Sequence, residues 1–128
     1  MKHAYSPIRA RAHEAVNNKG DERMQREAKI EEWLVKQIKG LGGIADKFVS
    51  PANPGVPDRL IVMPGGKVYF VELKTEIGRL SNIQKWQRER YLERKADVRV
   101  IKGMNQAKEF IKELRECYSN HMATNSTL

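Results

Sequence analysis

The stretch Arg59 to Leu73, RLIVMPGGKVYFVEL, constrains this chain more than any other. Two β-rich runs flank Pro64-Gly65-Gly66, and a short glycine turn between such runs reads as a β-hairpin, with strands at Arg59 to Met63 and Lys67 to Leu73. Folding the chain back around Gly65 sets the register of an antiparallel ladder. Asp58, just before the first strand, then lies opposite Glu72 in the second. Glu72 and Lys74 are two residues apart, so they share a face of the sheet. One hairpin thereby gathers two carboxylates and an ammonium, a combination that can hold a divalent cation beside a lysine. A strand-end salt bridge from Lys74 to Asp58 or Glu72 accounts for the same residues without any chemistry, because such pairs are common. Ile61, Met63, Val68, Phe70 and Leu73 are expected to supply core. Leu60 and Val62 fill the opposite face, which implies a sheet covered on both sides.

The flanking segments supply the rest of the layers. Ile30, Trp33, Leu34, Ile38 and Leu41 recur at three and four, which predicts a helix over Asp21 to Leu41 ended by Gly42-Gly43. Glu27 falls on the buried edge of that stripe, Glu31 on its border, and Glu32 points away. An inward carboxylate is costly unless it is paired or binds a metal. Glu27 therefore either faces a site, with Glu31 as the substitute candidate, or pairs with cations near Arg23 and Lys29 on a solvated edge. Ile44 to Val49 reads as a strand. Ser50 to Pro57 carries Pro51, Pro54 and Pro57 and must be a loop, delivering Asp58 in an extended state. Thr75 to Leu80, with Gly78, joins strand to helix. Ser81-Asn82-Ile83-Gln84 is a capping-box pattern that opens a helix running to about Lys95. Val98, Val100 and Ile101 mark a last strand over Asp97 to Ile101. Gly103 to Asn105 turns, and Ala107, Phe110, Ile111 and Leu114 give a closing helix over Gln106 to Cys117.

Pro57-Asp58 and Glu72-Leu73-Lys74 match the PD-(D/E)XK nuclease pattern, and GVPD…VYFVELKTEIGRLSNIQ resembles the VRR-NUC (virus-type replication-repair nuclease) branch of it. The resemblance spans roughly Glu27 to Ile101. It implies an α/β, restriction-endonuclease-like single domain: a central mixed sheet flanked by helices in the order α-β-β-β-α-β-α. It also implies a metal-dependent DNA endonuclease, structure-selective and of the Holliday-junction-resolvase kind, with a homodimer supplying one site per strand. A flap or nicking nuclease of phage or mobile-element replication is the near alternative, and a catalytically silent DNA-binding module the distant one. The implied catalytic residues are Asp58, Glu72, Lys74, Gln84 and Glu27. Mg²⁺ or Mn²⁺ would be held by Asp58, Glu72, the Leu73 carbonyl and Glu27, the last directly or through water. Gln84 has two readings, one closing the cap and one facing the site, and a side chain folded onto the cap is not expected to reach the site. Whether Lys74 is a base or an electrostatic anchor stays open.

Charge agrees with a nucleic-acid partner: 24 Lys and Arg against 16 Asp and Glu leave a formal charge of +8, which attracts polyanions. Lys85, Arg88 and Arg79 are the candidate phosphate contacts. Residues 1–20 are expected to form a basic arm with a short helix over Ile8 to Val16, either touching DNA or a second subunit or simply mobile. Its His3 and His13 are expected to be solvated. Residues 21–117 form the domain, and residues 118–128 a polar tail. Mean hydropathy is −0.67, and no apolar run approaches the ~20 residues of a membrane helix. With no signal-like start either, a cytoplasmic protein is expected. Cys117 is the only cysteine, which excludes an intrachain disulfide and a cysteine-rich zinc site. No small-molecule cofactor is implied.

Overall fold

A computed structural model describes the backbone of residues 7–126 and the side chains of residues 20–119. The elements run α1 (Pro7–Gly40), β1 (Ile44–Lys47), β2 (Arg59–Val62), β3 (Val68–Lys74), α2 (Asn82–Glu93), β4 (Val98–Lys102) and α3 (Gly103–Ser126). They form the expected α-β-β-β-α-β-α order. One sheet carries the four strands in the order β1-β2-β3-β4. β1, β2 and β3 are successive antiparallel neighbours, and β4 lies parallel to β3. A parallel neighbour cannot be reached by a tight turn, and α2 supplies the crossover.

The hairpin has the register read from its turn: Arg59 pairs with Val71, Leu60 with Phe70, Ile61 with Tyr69 and Val62 with Val68. Period-2 alternation then divides the two faces. Ile61, Tyr69, Val71, Leu73 and Ile101 pack with Ile30, Leu34 and Ile38 of α1 and with Ala107, Phe110, Ile111 and Leu114 of α3. Phe70 points the other way, where its ring meets Phe48 at 5.7 Å and Tyr91 of α2 at 4.9 Å between centroids. This corrects the expected core. Val68 and Phe70 are half-buried on the α2 face, and Tyr69 and Val71 take their places. Leu73 and Phe70 are three apart in a strand and cannot share a face.

α1 ends as its Gly-Gly pair predicts. The Gly42 N–H donates to the Lys39 carbonyl at 3.0 Å and the Gly43 N–H to the Ile38 carbonyl at 2.9 Å, with Gly42 at φ +84. These are the two bonds of a Schellman motif around a left-handed residue.

Both outer helices run past their expected bounds. α1 is unbroken from Pro7, so Asn17-Asn18-Lys19-Gly20 lies inside it. Glycine costs only about 1 kcal/mol against alanine in a helix and asparagine less, and no proline follows Pro7 to remove a hydrogen bond. Residues 1–6, His3 among them, lie outside the described residues, as does the side chain of His13 and with it any contact of the expected arm. α3 starts at Gly103, where Gln106 Oε1 accepts the Lys102 N–H at 2.8 Å. It continues to Ser126 through most of the expected tail. Tyr118 still packs against the core one turn beyond Leu114, and its hydroxyl lies 3.3 Å from that of Tyr69. Cys117 is exposed. Among the described residues, no helix is long and apolar enough to cross a membrane.

Candidate active site

Three segments converge where β3 ends: the loop leading to Asp58, the last residues of β3, and the start of α2. The loop is tied down rather than merely stiff. The Phe48 N–H donates to the Asp58 carbonyl at 2.8 Å, and the Asn53 N–H closes a turn on the Ser50 carbonyl at 3.0 Å. Gln87 of α2 is 1% exposed and donates from Nε2 to the Pro54 carbonyl at 3.0 Å. Gly55, at φ +86, lies so close to α2 that a Cβ there would stand 2.9 Å from the Ile83 backbone. Glycine meets both demands at once.

Asp58 Oδ2 accepts the Leu73 N–H at 2.9 Å, which fixes its carboxylate across the ladder beside Glu72. Glu72 is only 4% exposed. Its Oε1 accepts from Gln84 Nε2 at 2.7 Å and lies 3.6 Å from Lys74 Nζ. Gln84 also closes the capping box: its Oε1 accepts the Ser81 N–H at 2.9 Å, while Ser81 Oγ accepts the Gln84 N–H at 3.2 Å. The two readings of Gln84 are thus not exclusive. The amide oxygen serves the cap and the amide nitrogen reaches Glu72, because the group has a chemically distinct end for each. The structure brings Asp58, Glu72, Lys74 and Gln84 together, and the Leu73 backbone joins them through the bond to Asp58.

Burial pushes the Glu72 carboxyl up to about 7 from 4.5; the Asp58 carboxylate adds to the rise and the Lys74 ammonium opposes it. Desolvation also raises Asp58, against the Leu73 N–H and Lys74, although the residue as a whole is exposed. Two carboxylates crowded against their own charge are in the state that a cation relieves. Among the described residues, no three His, Cys, Asp or Glu side chains stand close enough to form a closed metal cage. The donors at Asp58 and Glu72 are all hard oxygens. They fit a Mg²⁺- or Mn²⁺-like ion that keeps several waters, rather than zinc.

Glu27 and Glu31 share a cleft of about 410 Å³ with Asp58, Phe48 and Val49. Glu31 is taken by Arg59, which also donates to the Ala45 carbonyl at 3.1 Å. Glu27 has no ion-pair partner among the described residues. Burial raises its pKa, Lys74 opposes that, and Asp58 and Glu31 reinforce it. Of the two glutamates, Glu27 is the one left unpaired within reach of the charges on Asp58 and Lys74. The Arg59 latch was not foreseen from the sequence, yet it has a signal: Arg59 follows Asp58 directly, so it must point to the opposite face, toward α1.

Arg79, Lys85 and Arg88 line a second cleft together with Lys74 and with Lys102, a residue that no local sequence pattern singles out. Other cations of α2 and its C-cap are engaged elsewhere. Arg90 donates to Gln87 Oε1 at 2.6 Å and lies 4.8 Å from the Trp86 ring centre. Arg94 caps its own helix through the Arg90 carbonyl at 2.9 Å.

No family model matches the chain. Over 52 residues it is 56% identical to "Putative nuclease p44" of Acyrthosiphon pisum secondary endosymbiont phage 1, a match covering 41% of this chain and 56% of that protein. The chain thus spans about half the length of that curated relative. A solved structure described as a VRR_NUC domain superposes with a TM-score of 0.65 at 28% identity, over 68% of this chain and 95% of that one. This chain contains a VRR-NUC domain. Nearly the whole of the solved VRR-NUC domain has a counterpart here, within about two thirds of the residues.

Proposed function

We propose that this VRR-NUC domain is a metal-dependent DNA endonuclease selective for branched structures, of the kind that resolves four-way junctions. The observation that carries the reading is the buried Glu72 carboxylate, gripped by both Lys74 and Gln84 beside a second carboxylate that the Leu73 N–H holds in place. Hydrolysis of a phosphodiester needs a water placed in line, a way to absorb charge on the phosphate, and a polarising centre. Mg²⁺ or Mn²⁺, held by Asp58 and Glu72 with the Leu73 carbonyl and with Glu27 directly or through water, would polarise the phosphate and lower the pKa of that water. Lys74 sets its ammonium at the edge of the carboxylate pair, where it orients the water and offsets charge developing on the phosphate. Gln84 is a positioning residue. Its cap bond keeps the amide from swinging, so its nitrogen holds the Glu72 carboxylate in one rotamer. A symmetric dimer would present two such sites, one per strand, as junction resolution requires.

The test is cleavage of a labelled four-way junction, beside a flap and a linear duplex, with Mg²⁺ or Mn²⁺. Paired symmetric cuts in the junction are expected, falling roughly a hundredfold or more in Lys74→Ala, the usual cost of deleting one charge-stabilising donor. Cuts confined to the flap or nicked duplex would keep the nuclease and discard the resolvase. The phage source of the curated relative favours that second reading, a replication nuclease. Tight binding without any cleavage would make the domain a silent DNA-binding module.

A further inference from the structure

The cleft lined by Lys74, Arg79, Lys85, Arg88 and Lys102, about 330 Å³ in volume, contains no carboxylate. It contrasts with the cleft at the other side of Asp58, where Glu27 and Glu31 sit with a single lysine, Lys47. The placement of Lys102 is the telling detail. β3 and β4 are parallel and in register, so Lys74 stands directly beside Lys102 with both side chains on the α2 face. Like charges side by side in a ladder repel and destabilise the sheet. Lys74 has Glu72 to offset this. Lys102, Arg79, Lys85 and Arg88 have no ion-pair partner among the described residues, and Arg88 Nε is buried without a hydrogen-bond acceptor. A cluster of that charge, with an orphaned buried donor, is built for an anion.

We propose that Arg79, Lys85, Arg88 and Lys102, with Lys74 at the inner edge, form a subsite for an internal phosphodiester of the nucleic acid, the one next to the phosphate under attack. The assignment of the attacked phosphate rests on the nuclease reading; the subsite itself does not. A strand crossing the Asp58–Glu72 pair would meet five cations on one side and, on the α1 side, a cleft with one lysine, in which Glu31 is already paired with Arg59. Its backbone therefore has one direction in which a neighbouring phosphate meets a cluster of cations and one in which it does not. The same cluster would suit a terminal phosphate equally well by charge, so the test separates internal from terminal groups.

The experiment measures affinity for a short labelled duplex by fluorescence anisotropy, without divalent cation, over a salt series, with and without 5′-terminal phosphates. Each phosphate that a variant no longer neutralises makes the slope of log K on log salt shallower by about 0.9. Lys102→Ala and Lys85→Ala are each expected to show that change on both duplexes. Lys102→Arg, which keeps the charge, and Lys112→Ala, on the exposed side of α3, are expected to keep the wild-type slope. Wild-type slopes in both alanine variants would overturn the subsite. A change seen only on the 5′-phosphorylated duplex would overturn the internal assignment in favour of a terminal one. Lys85 is exposed on α2, so its variant keeps the test decisive if Lys102→Ala does not fold. Binding is read in the absence of cleavage, so a chain that cuts with an unchanged slope sinks the subsite alone. A chain that never cuts but shows the slope change keeps the subsite and loses the nuclease.

Discussion

Glu72→Gln is expected to stabilise the metal-free protein, and to do so only where the pH is high enough. In the fold the Glu72 carboxyl titrates at about 7, against 4.5 for an ordinary glutamate. Below the lower value the group is protonated in both the folded and the unfolded chain and costs nothing. As pH rises from 4.5 through 7, the unfolded chain ionises first, and stability is lost across that window. At pH 8 the loss is nearly complete, about 3 kcal/mol at ~1.4 kcal/mol per unit of displacement, and at pH 5 it is about 1 kcal/mol. Glutamine has the same shape, and its amide oxygen can still accept from Gln84 and Lys74, so the substitution removes the charge with little disturbance to packing. Urea unfolding of the metal-free proteins at the two pH values measures the difference. A gain of about 3 kcal/mol at pH 8 should shrink to about 1 kcal/mol or less at pH 5. Added Mg²⁺ or Mn²⁺ should stabilise the wild type through its bound state and leave the variant nearly unmoved. A variant no more stable than wild type at pH 8, or equally stabilised at both pH values, would refute the claim that Glu72 is held against its charge.

Substitutions at two further positions probe how the site is held. Gly55→Ala forces a side chain into a positive-φ residue already against Ile83, and is expected to cost roughly 1–3 kcal/mol. Cleavage should fall with it, because the loop that carries Asp58 is lifted from α2; an unchanged urea midpoint would show that the loop does not depend on that contact. Gln84→Ala deletes the capping-box closure and the donor to Glu72, for about 1–2 kcal/mol of stability. Gln84→Glu keeps an oxygen for the Ser81 N–H but sets a third carboxylate against Glu72, raising its pKa further, so the rising limb of a pH–rate profile should move to higher pH. If that profile stays where the wild type has it, Gln84 serves the helix and nothing else.

The parts of this fold that could be read from the sequence are those specified by neighbours along the chain. Pro64-Gly65-Gly66 pins the turn, and a side-chain period of two leaves one register. That register puts Asp58 across from Glu72, and Lys74 on the same face. The Schellman end of α1 and the capping box of α2 are equally local. What escaped is set across the fold. Arg59 finds Glu31 over 28 residues of chain, and the register of β4 against β3 is set across the fold, since no turn links the two strands. Lys102 could not be placed beside Lys74 without it. The bounds of α1 and α3 escaped for a different reason. Asn-Asn-Lys-Gly is a weak breaker, and a weak breaker yields once a long helix is anchored at Leu34 and Ile38.

That division bears on how the site can work. The carboxylate pair is placed by the local hairpin register and steadied by the contact of the Asp58 loop with α2 at Gly55, and it carries its own electrostatic cost into the fold. The cations that would hold a neighbouring phosphate come together only when α2 has crossed over and β4 has docked in register. The acidic and basic halves therefore depend on different contacts. Loosening the β3–β4 pair should weaken nucleic-acid binding before it disturbs the Asp58–Glu72 pair, whereas loosening the loop at Gly55 should do the reverse. The one residue that belongs to both halves is Lys74, which faces Glu72 on its own strand and Lys102 on the next. Its position is where the two sets of contacts must agree, so its ammonium cannot be moved without disturbing both the carboxylate pair and the basic cleft.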